Sequence, residues 1–254
     1  MDRVYAHPRY YEIAFSFRDI RTEVDAIEEL ARRFSSVAVH RVLEVACGSA
    51  PHLPEFARRG YAYLGVDHNE TMLEYARRRA ESLGAEATFV QASLTDFSVP
   101  APADLAVVFL GSLYVAGAAE LRSHFDAVAR ALSHGGLYVL DWCVDFVPAT
   151  DLCETWTEER DGIRVLTTYH AASLNRAEQT YRETVTLEVE DHGAHMTLKE
   201  TAIKRAIYPQ EFLLFIKERP DFEFVGWWNA WKLDQPLDST DSRCSRPVVV
   251  VRRI

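Results

Sequence analysis

The chain has 254 residues, 48% of them apolar, and a formal charge of -10 at neutral pH. Length and apolar share allow a full core, in one large domain or in one domain with an insert. The acidic balance, with a pI near 5.4, argues against a nucleic-acid surface, which needs clustered Lys and Arg to meet phosphates.

The start of the chain is unusually aromatic, Tyr10-Tyr11-Glu12-Ile13-Ala14-Phe15-Ser16-Phe17-Arg18, and lacks the basic start and apolar core of a leader. From Thr22 to Phe34 the residues Val24, Ile27, Leu30, Ala31 and Phe34 recur at helical spacing. Arg41 to Val45 reads as a strand, Pro51 to Arg59 as a helix, Ala62 to Val66 as a strand and Thr71 to Leu83 as a helix. Ala87 to Gln91 and the nearly continuous apolar run Leu105 to Leu110 read as strands three and four. Glu120 to Leu132 reads as a helix stopped by Gly135-Gly136, with a fifth strand beginning over Leu137 to Leu140. Strands apolar on both faces, alternating with helices, imply a parallel sheet covered on two sides.

After Pro148 the pattern changes. Between about Glu154 and Ile207 the chain alternates polar and apolar residues, as in Tyr181 to Val189 and Met196 to Glu200, with turn signals at Asp161-Gly162 and Asp191-His192-Gly193. That is an antiparallel meander with one wet face. A helix over Pro209 to Lys217 and two strands, Phe222 to Trp228 and Pro247 to Arg252, complete the chain. The expected fold class is therefore α/β: a Rossmann-like, seven-stranded, mostly parallel sheet with helices on both faces and an inserted antiparallel β cap. The predicted units are residues 1–40 (a helical segment), 41–150 (the alternating core), 151–207 (the cap) and 208–254 (the rest of the core sheet). No run approaches the twenty apolar residues of a membrane span. Cys47, Cys143, Cys153 and Cys244 show no ligand spacing. Reduced thiols, no metal and a cytoplasmic location follow as expectations. Arg77-Arg78-Arg79 reads as a solvated helix face.

One segment carries chemistry. Val42-Leu43-Glu44-Val45-Ala46-Cys47-Gly48-Ser49-Ala50 is a strand ending in an acid and a tight small-residue turn, and Gly65-Val66-Asp67-His68 ends the next strand. This is the first βαβ unit of a nucleotide-binding sheet, with an acid placed for a ribose. It resembles the first motif of the class I S-adenosylmethionine (SAM)-dependent methyltransferases, apolar-apolar-Asp/Glu-x-x-Gly-x-Gly, with Ala46 and Ala50 where glycine is common. Glycine and sugar-amine N-methyltransferases of that superfamily carry a comparable antiparallel cap.

The resemblance implies SAM as cofactor, bound by residues 41–150 and covered by 1–40, and a set of roles. Glu44 would orient the turn or reach the cofactor's amino group. Ala46, Cys47 and Gly48 would pass beneath the cofactor, Asp67 would accept from both ribose hydroxyls, and His68 and Met72 would border the adenine. Ser93 stands where many members place an Asp for the adenine amine, and the Leu94 amide would donate to a ring nitrogen. Leu110 would line the methionine part, while Tyr11 and Arg18 would bind its carboxylate. Tyr114 would face the acceptor. Catalytic candidates are few: Tyr114, Asp141 and His170, with Trp142, Tyr169 and His195 nearby in the reading; each cap histidine is also an ordinary exposed strand residue. Trp227, Trp228 and Trp231 read as core packing or as a flat pocket wall.

The expected activity is methyl transfer to oxygen or nitrogen of a small-molecule acceptor by in-line displacement, with neither nucleic acid nor membrane as partner and a homodimer as candidate assembly. A nicotinamide oxidoreductase would need Gly-x-Gly-x-x-Gly, where this chain has Ala46, Gly48 and Pro51. A SAM-binding partner or regulator without turnover is the other alternative.

Overall fold

The computed structural model describes residues 3–147, 151–237 and 244–254. A short 3-10 turn, Val4–Ala6, precedes α1 (Pro8–Ala14) and α2 (Ile20–Phe34). Asp19 caps α2 by accepting from the Thr22 amide, and the apolar spacing seen in the sequence buries Val24, Ile27 and Leu30 completely.

The core then alternates as expected: β1 (Arg41–Val45), α3 (Leu53–Arg58), β2 (Ala62–Asp67), α4 (Glu70–Leu83), β3 (Ala87–Gln91), β4 (Ala103–Val108), α5 (Ala118–Ala131) and β5 (Leu132–Asp141). The antiparallel stretch follows as β6 (Leu152–Arg160), β7 (Ile163–Asn175), β8 (Thr180–Asp191) and β9 (Ala194–Arg205). The chain returns to the core through α6 (Pro209–Lys217), β10 (Phe222–Asn229), β11 (Lys232–Pro236) and β12 (Pro247–Arg253).

The main sheet runs β11-β10-β12-β5-β4-β1-β2-β3. Strands β1 to β5 are mutually parallel, and β12 is antiparallel to both β5 and β10. The expected mostly parallel architecture is present, with β11 added as an eighth, edge strand. Its short Lys-Leu-Asp-Gln-Pro sequence carries too little apolar pattern to announce itself. The strand reversal lies between β1 and β4, which diverge from neighbouring positions to opposite sides of the sheet. Their carboxyl ends open the crevice in which open α/β sheets bind ligands.

One boundary differs from expectation. Gly135-Gly136 does not stop α5; the helix ends at Ala131 and β5 starts on the next residue. The register against β4 shifts between Ala103 and Leu105, so the glycines serve a bulge. A Cβ on Gly136 would lie 2.5 Å from the Asp104 carbonyl oxygen. The expected break after Pro148 falls outside the described residues.

The cap sheet runs β6-β7-β8-β9 in plain antiparallel order. Two-residue turns at Asp161-Gly162 and His192-Gly193 hold all four residues at positive φ, which matches the twist of paired strands. One half of its inner face meets the loop after β4, through Tyr114 and Glu183; the other half packs on the N-terminal segment. Ile163, Val165, Leu187, Val189 and Leu198 bury themselves against Val4, Ile13 and Ala14, so α1 is packed between cap and core. Among the described residues, no helix is long and apolar enough to cross a membrane.

Candidate active site

The loop after β1 is set by backbone geometry. Ala46, Gly48 and Ala50 take φ of 54°, 52° and 52°, the left-handed region that costs an L-residue about 1–2 kcal/mol. The two alanines therefore adopt the conformation that glycine would supply, against strain. Two anchors hold them there. Asp67 Oδ2 accepts from the Gly48 amide at 2.8 Å, and its Oδ1 accepts from the Asn69 amide at 2.8 Å. From the other side, Arg79 donates to the carbonyls of Ser49 (2.9 Å) and Ala50 (3.2 Å), and reaches Glu12 on α1 at 2.6 Å. Gly65 opposite has no room for a side chain, since a Cβ would meet Phe89 at 2.7 Å and Cys47 Sγ at 2.8 Å. Burial pushes the Cys47 thiol well up, with the Asp67 and Glu44 carboxylates adding to the effect. It is a packed thiol, not a nucleophile.

Beneath this loop lies a buried charge network. Glu44 Oε2 accepts from the Tyr63 hydroxyl at 2.8 Å, and its Oε1 lies 3.2 Å from His52 Nδ1. His52 Nε2 sits 2.9 Å from Glu23 on α2. Arg18 pairs with Glu23 and lies over the Phe109 ring, 5.2 Å from its centroid. Arg246 completes the set, with 2.9 Å to Glu23 and two bonds of 2.8 and 2.6 Å to Asp141. Burial disfavours charge on Glu23, but bonds from His52 and Arg18 outweigh it and hold its carboxyl down at about 2. The network joins α2, β1, the turn before α3, β5 and the start of β12 at the crevice.

A cavity of about 260 Å³ opens above. Its floor is Glu44 and the Ala46–Ser49 loop; its walls are Phe109, Leu110 and Ser112 after β4; its roof is Tyr11, Phe15, Ser16 and Arg18. The roof is tied to the cap. Trp156 Nε1 donates to the Ala14 carbonyl at 2.6 Å, Tyr10 donates to Asp191 at 2.7 Å and Ser16 to Glu158 at 3.1 Å.

Of the predicted cofactor residues, Tyr11, Arg18, Glu44, Ala46, Cys47, Gly48 and Leu110 line this single cavity. Asp67 stands behind it, joined through the Gly48 amide. Others are placed elsewhere. His68 is exposed beside Asp67, Met72 is wholly buried in α4, and Ser93 is exposed with its hydroxyl 2.8 Å from Thr95. Leu94 offers its carbonyl to His124 Nδ1 at 2.7 Å. Among the catalytic candidates, Asp141 is fully buried, and its carboxylate is filled by Arg246 and the Leu110 amide. Both of its oxygens accept bonds, and it holds the cavity wall in place. His170 and His195 are exposed on the cap. Trp142 is 43% exposed, while Trp228 and Trp231 pack in the core beneath α2. Tyr114 donates to Glu183 at 2.6 Å.

Several residues escaped the sequence reading. Glu23, His52 and Arg246 join only through the tertiary fold, and nothing in their spacing announces it. Glu183 did leave a signal: in the alternation Tyr181, Glu183, Val185, Leu187, Val189 it is an acid on the apolar face. Lys204, on the neighbouring strand, is equally buried.

The lining suits a sulfonium cofactor. Aromatic faces of Tyr11, Phe15 and Phe109 beside the Glu44 carboxylate favour a cation. Above Gly48 a Cβ would meet nothing within 4 Å, so ligand atoms have open space over the turn. Among the described residues, no group of His, Cys, Asp or Glu could hold a metal ion.

Comparison with known proteins agrees with this architecture. Residues 42–136 match the family model described as a methyltransferase domain. A Geobacillus sp. (strain WCH70) protein named as a methyltransferase is 27% identical over 116 residues, 45% of this chain and 47% of that protein. The match thus spans about half of that relative's length. The dTDP-3-amino-3,4,6-trideoxy-alpha-D-glucopyranose N,N-dimethyltransferase of Streptomyces venezuelae is 27% identical over 175 residues, 67% of this chain and 72% of that one. Among solved structures, a SAM-dependent methyltransferase from Clostridium acetobutylicum superposes with a TM-score of 0.77 at 16% identity, covering 96% of this chain and 95% of that one. That likeness extends the shared fold over the cap as well as the core.

Proposed function

We propose that this chain, whose residues 42–136 match a methyltransferase-domain family model, is a SAM-dependent methyltransferase that transfers the methyl group to an amine nitrogen of a small polar acceptor. The observation that carries the reading is the cavity at the carboxyl ends of β1 and β4, floored by the left-handed turn at residues 46–50 and roofed by α1. SAM, when bound, supplies a methyl carbon already activated by its sulfonium. The chain has then to hold nucleophile and carbon in line and keep water away. Tyr11 and Phe15 close the roof, Glu44 and the Gly48 turn make the floor, and Arg18 offers a guanidinium edge for a carboxylate. In this reading Asp67 accepts from the ribose, using the lone pairs that its two amide bonds leave free.

Nitrogen is favoured over oxygen for two reasons. The Streptomyces venezuelae relative is named for an amino-sugar nucleotide, and the cap here lays a buried carboxylate, Glu183, beside the loop that lines the cavity. The loop chemistry does not favour nicotinamide, since Pro51 stands where that fingerprint requires its third glycine.

The test is incubation of the chain with SAM and a panel of amino sugars, neutral sugars, phenols and carboxylates, followed by mass spectrometry. A gain of one or two methyl groups on the amines supports the reading. Methylation of hydroxyl-only acceptors alone would overturn the nitrogen assignment. Tight SAM binding with no turnover across the panel would favour a binding module.

A further inference from the structure

Five side chains meet where the cap covers the end of β4. Glu183 is 7% and Lys204 5% exposed. Tyr114 donates to Glu183 Oε2 and Tyr169 donates to its Oε1, both at 2.6 Å. Lys204 Nζ lies 3.9 Å from Oε1, over the rings of Tyr114 and Tyr181 at 5.6 and 5.9 Å. The strand register makes this meeting. Glu183 faces Ala171 on β7 and Ala202 on β9, so Tyr169 and Lys204 reach it diagonally past two small residues. The cluster abuts the cavity wall: a Cβ on Gly111 would lie 3.0 Å from Lys204 Nζ, and Leu110 and Ser112 on either side line the cavity.

A tyrosine in this setting is a poor base by itself. Burial pushes the Tyr114 hydroxyl far up, and the Glu183 charge adds to the effect, so a free phenolate is strongly disfavoured. It is well placed to pass a proton on. Two hydroxyl donors fix the Glu183 carboxyl in place, with Oε2 in line with the Tyr114 hydroxyl.

We propose that Tyr114 and Glu183 form a proton relay that strips the acceptor ammonium before methyl transfer, with Tyr169 and Lys204 holding Glu183 in position. This rests on the amine reading above. The acceptor enters as R–NH3+. One N–H proton passes to the Tyr114 oxygen while the Tyr114 hydroxyl proton passes to Glu183 Oε2, leaving a neutral tyrosine and a neutral carboxylic acid. The freed nitrogen lone pair forms the N–C bond to the methyl carbon, and the C–S bond breaks with its electron pair on sulfur. The product leaves as R–NH2+–CH3, and Glu183 returns its proton to water through Tyr114. Tyr114 is the catalytic residue in this scheme. Glu183 acts through it and is a positioning residue.

The experiment compares wild type, Tyr114→Phe, Glu183→Gln and Glu183→Asp on two acceptors: a strongly basic amino sugar methylated in the panel, and a weakly basic aromatic amine, neutral at pH 7, added to it. For the basic amine at pH 7, Glu183→Gln and Tyr114→Phe should lower kcat by about 100-fold or more, the scale of acid–base assistance, with KM nearly unchanged. The loss should shrink as pH rises toward the amine's own pKa, and Glu183→Asp should recover part of the rate. The aromatic amine should lose at least tenfold less rate than the basic amine in each variant, and S-adenosylhomocysteine affinity by calorimetry should stay constant. Equal losses on both amines at all pH values would overturn the relay, as would wild-type rates in both variants. If wild type methylates no amine, the acceptor reading fails first and the relay falls with it; if it does and the variants keep its pH profile, only the relay falls.

Discussion

The two walls of the crevice are built by different means. On the cofactor side, position is fixed by backbone: the turn at Ala46, Gly48 and Ala50, clamped by Asp67 and Arg79 over a buried set of ion pairs. On the cap side it is fixed by side chains that meet across strand register, as Glu183 does with Tyr169 and Lys204. A backbone wall suits a ligand that never changes, whereas a side-chain wall can be re-cut for another acceptor without disturbing the first. The contrast predicts that damage on the cofactor side is paid in stability and on the cap side in turnover.

The largest effect should follow Arg246→Ala. It leaves Asp141, which is fully buried, and Glu23 short of a cation, and losing one partner of a buried pair costs about 3–5 kcal/mol. Urea unfolding measures it, and a loss under 1 kcal/mol would break the contrast. Acid should act on the parallel-sheet core next, through α5 as well as through the buried network. Burial holds neutral His124 down at about 4, below its usual 6.5, although the bond to the Leu94 carbonyl partly opposes the shift. Because the unfolded chain takes up that proton first, stability falls as pH drops from 6.5 toward 4. Glu23, held at about 2, adds a second loss between 4.5 and 2. Unfolding midpoints that stay flat from pH 7 to 3 would contradict both.

Asp67→Ala should weaken S-adenosylhomocysteine binding by about 1.5–3 kcal/mol, the range for hydrogen bonds to a charged group; unchanged affinity in calorimetry would remove the ribose role. The smallest effect belongs to the cap. Trp156→Phe deletes the bond to the Ala14 carbonyl and should cost about 1 kcal/mol, visible as faster hydrogen exchange in α1 while the parallel sheet stays protected. Equal loosening of both would show that the walls are not separate.

This division also governs what could be read from the sequence. The cofactor wall is local: Glu44 through Ala50 and Asp67 lie in one βαβ unit, whose order and spacing are visible in the chain, and Tyr11 and Arg18 stand out by their aromatic context. The meander was legible as period-two alternation, but its register was not. Glu183 could be seen as an acid on an apolar face, yet nothing in the sequence says that Tyr114 from the other sheet will reach it. Asp141 read as a strand-end acid near the acceptor because its partner Arg246 lies 105 residues away. The Gly135-Gly136 pair read as a helix stop because a bulge and a cap look alike without the neighbouring strand.

The packing of α1 between core and cap has a consequence for synthesis. Tyr10 finds Asp191 only 181 residues further along the chain. At roughly 5–20 residues per second, the first helix leaves the ribosome about 10–40 s before its partners on β7 to β9 exist. Through that interval Ile13, Ala14 and the aromatic side chains of the segment have no apolar surface to settle on except the growing parallel sheet. The roof of the cavity is thus among the first pieces made, yet it is seated only after most of the chain has been synthesised.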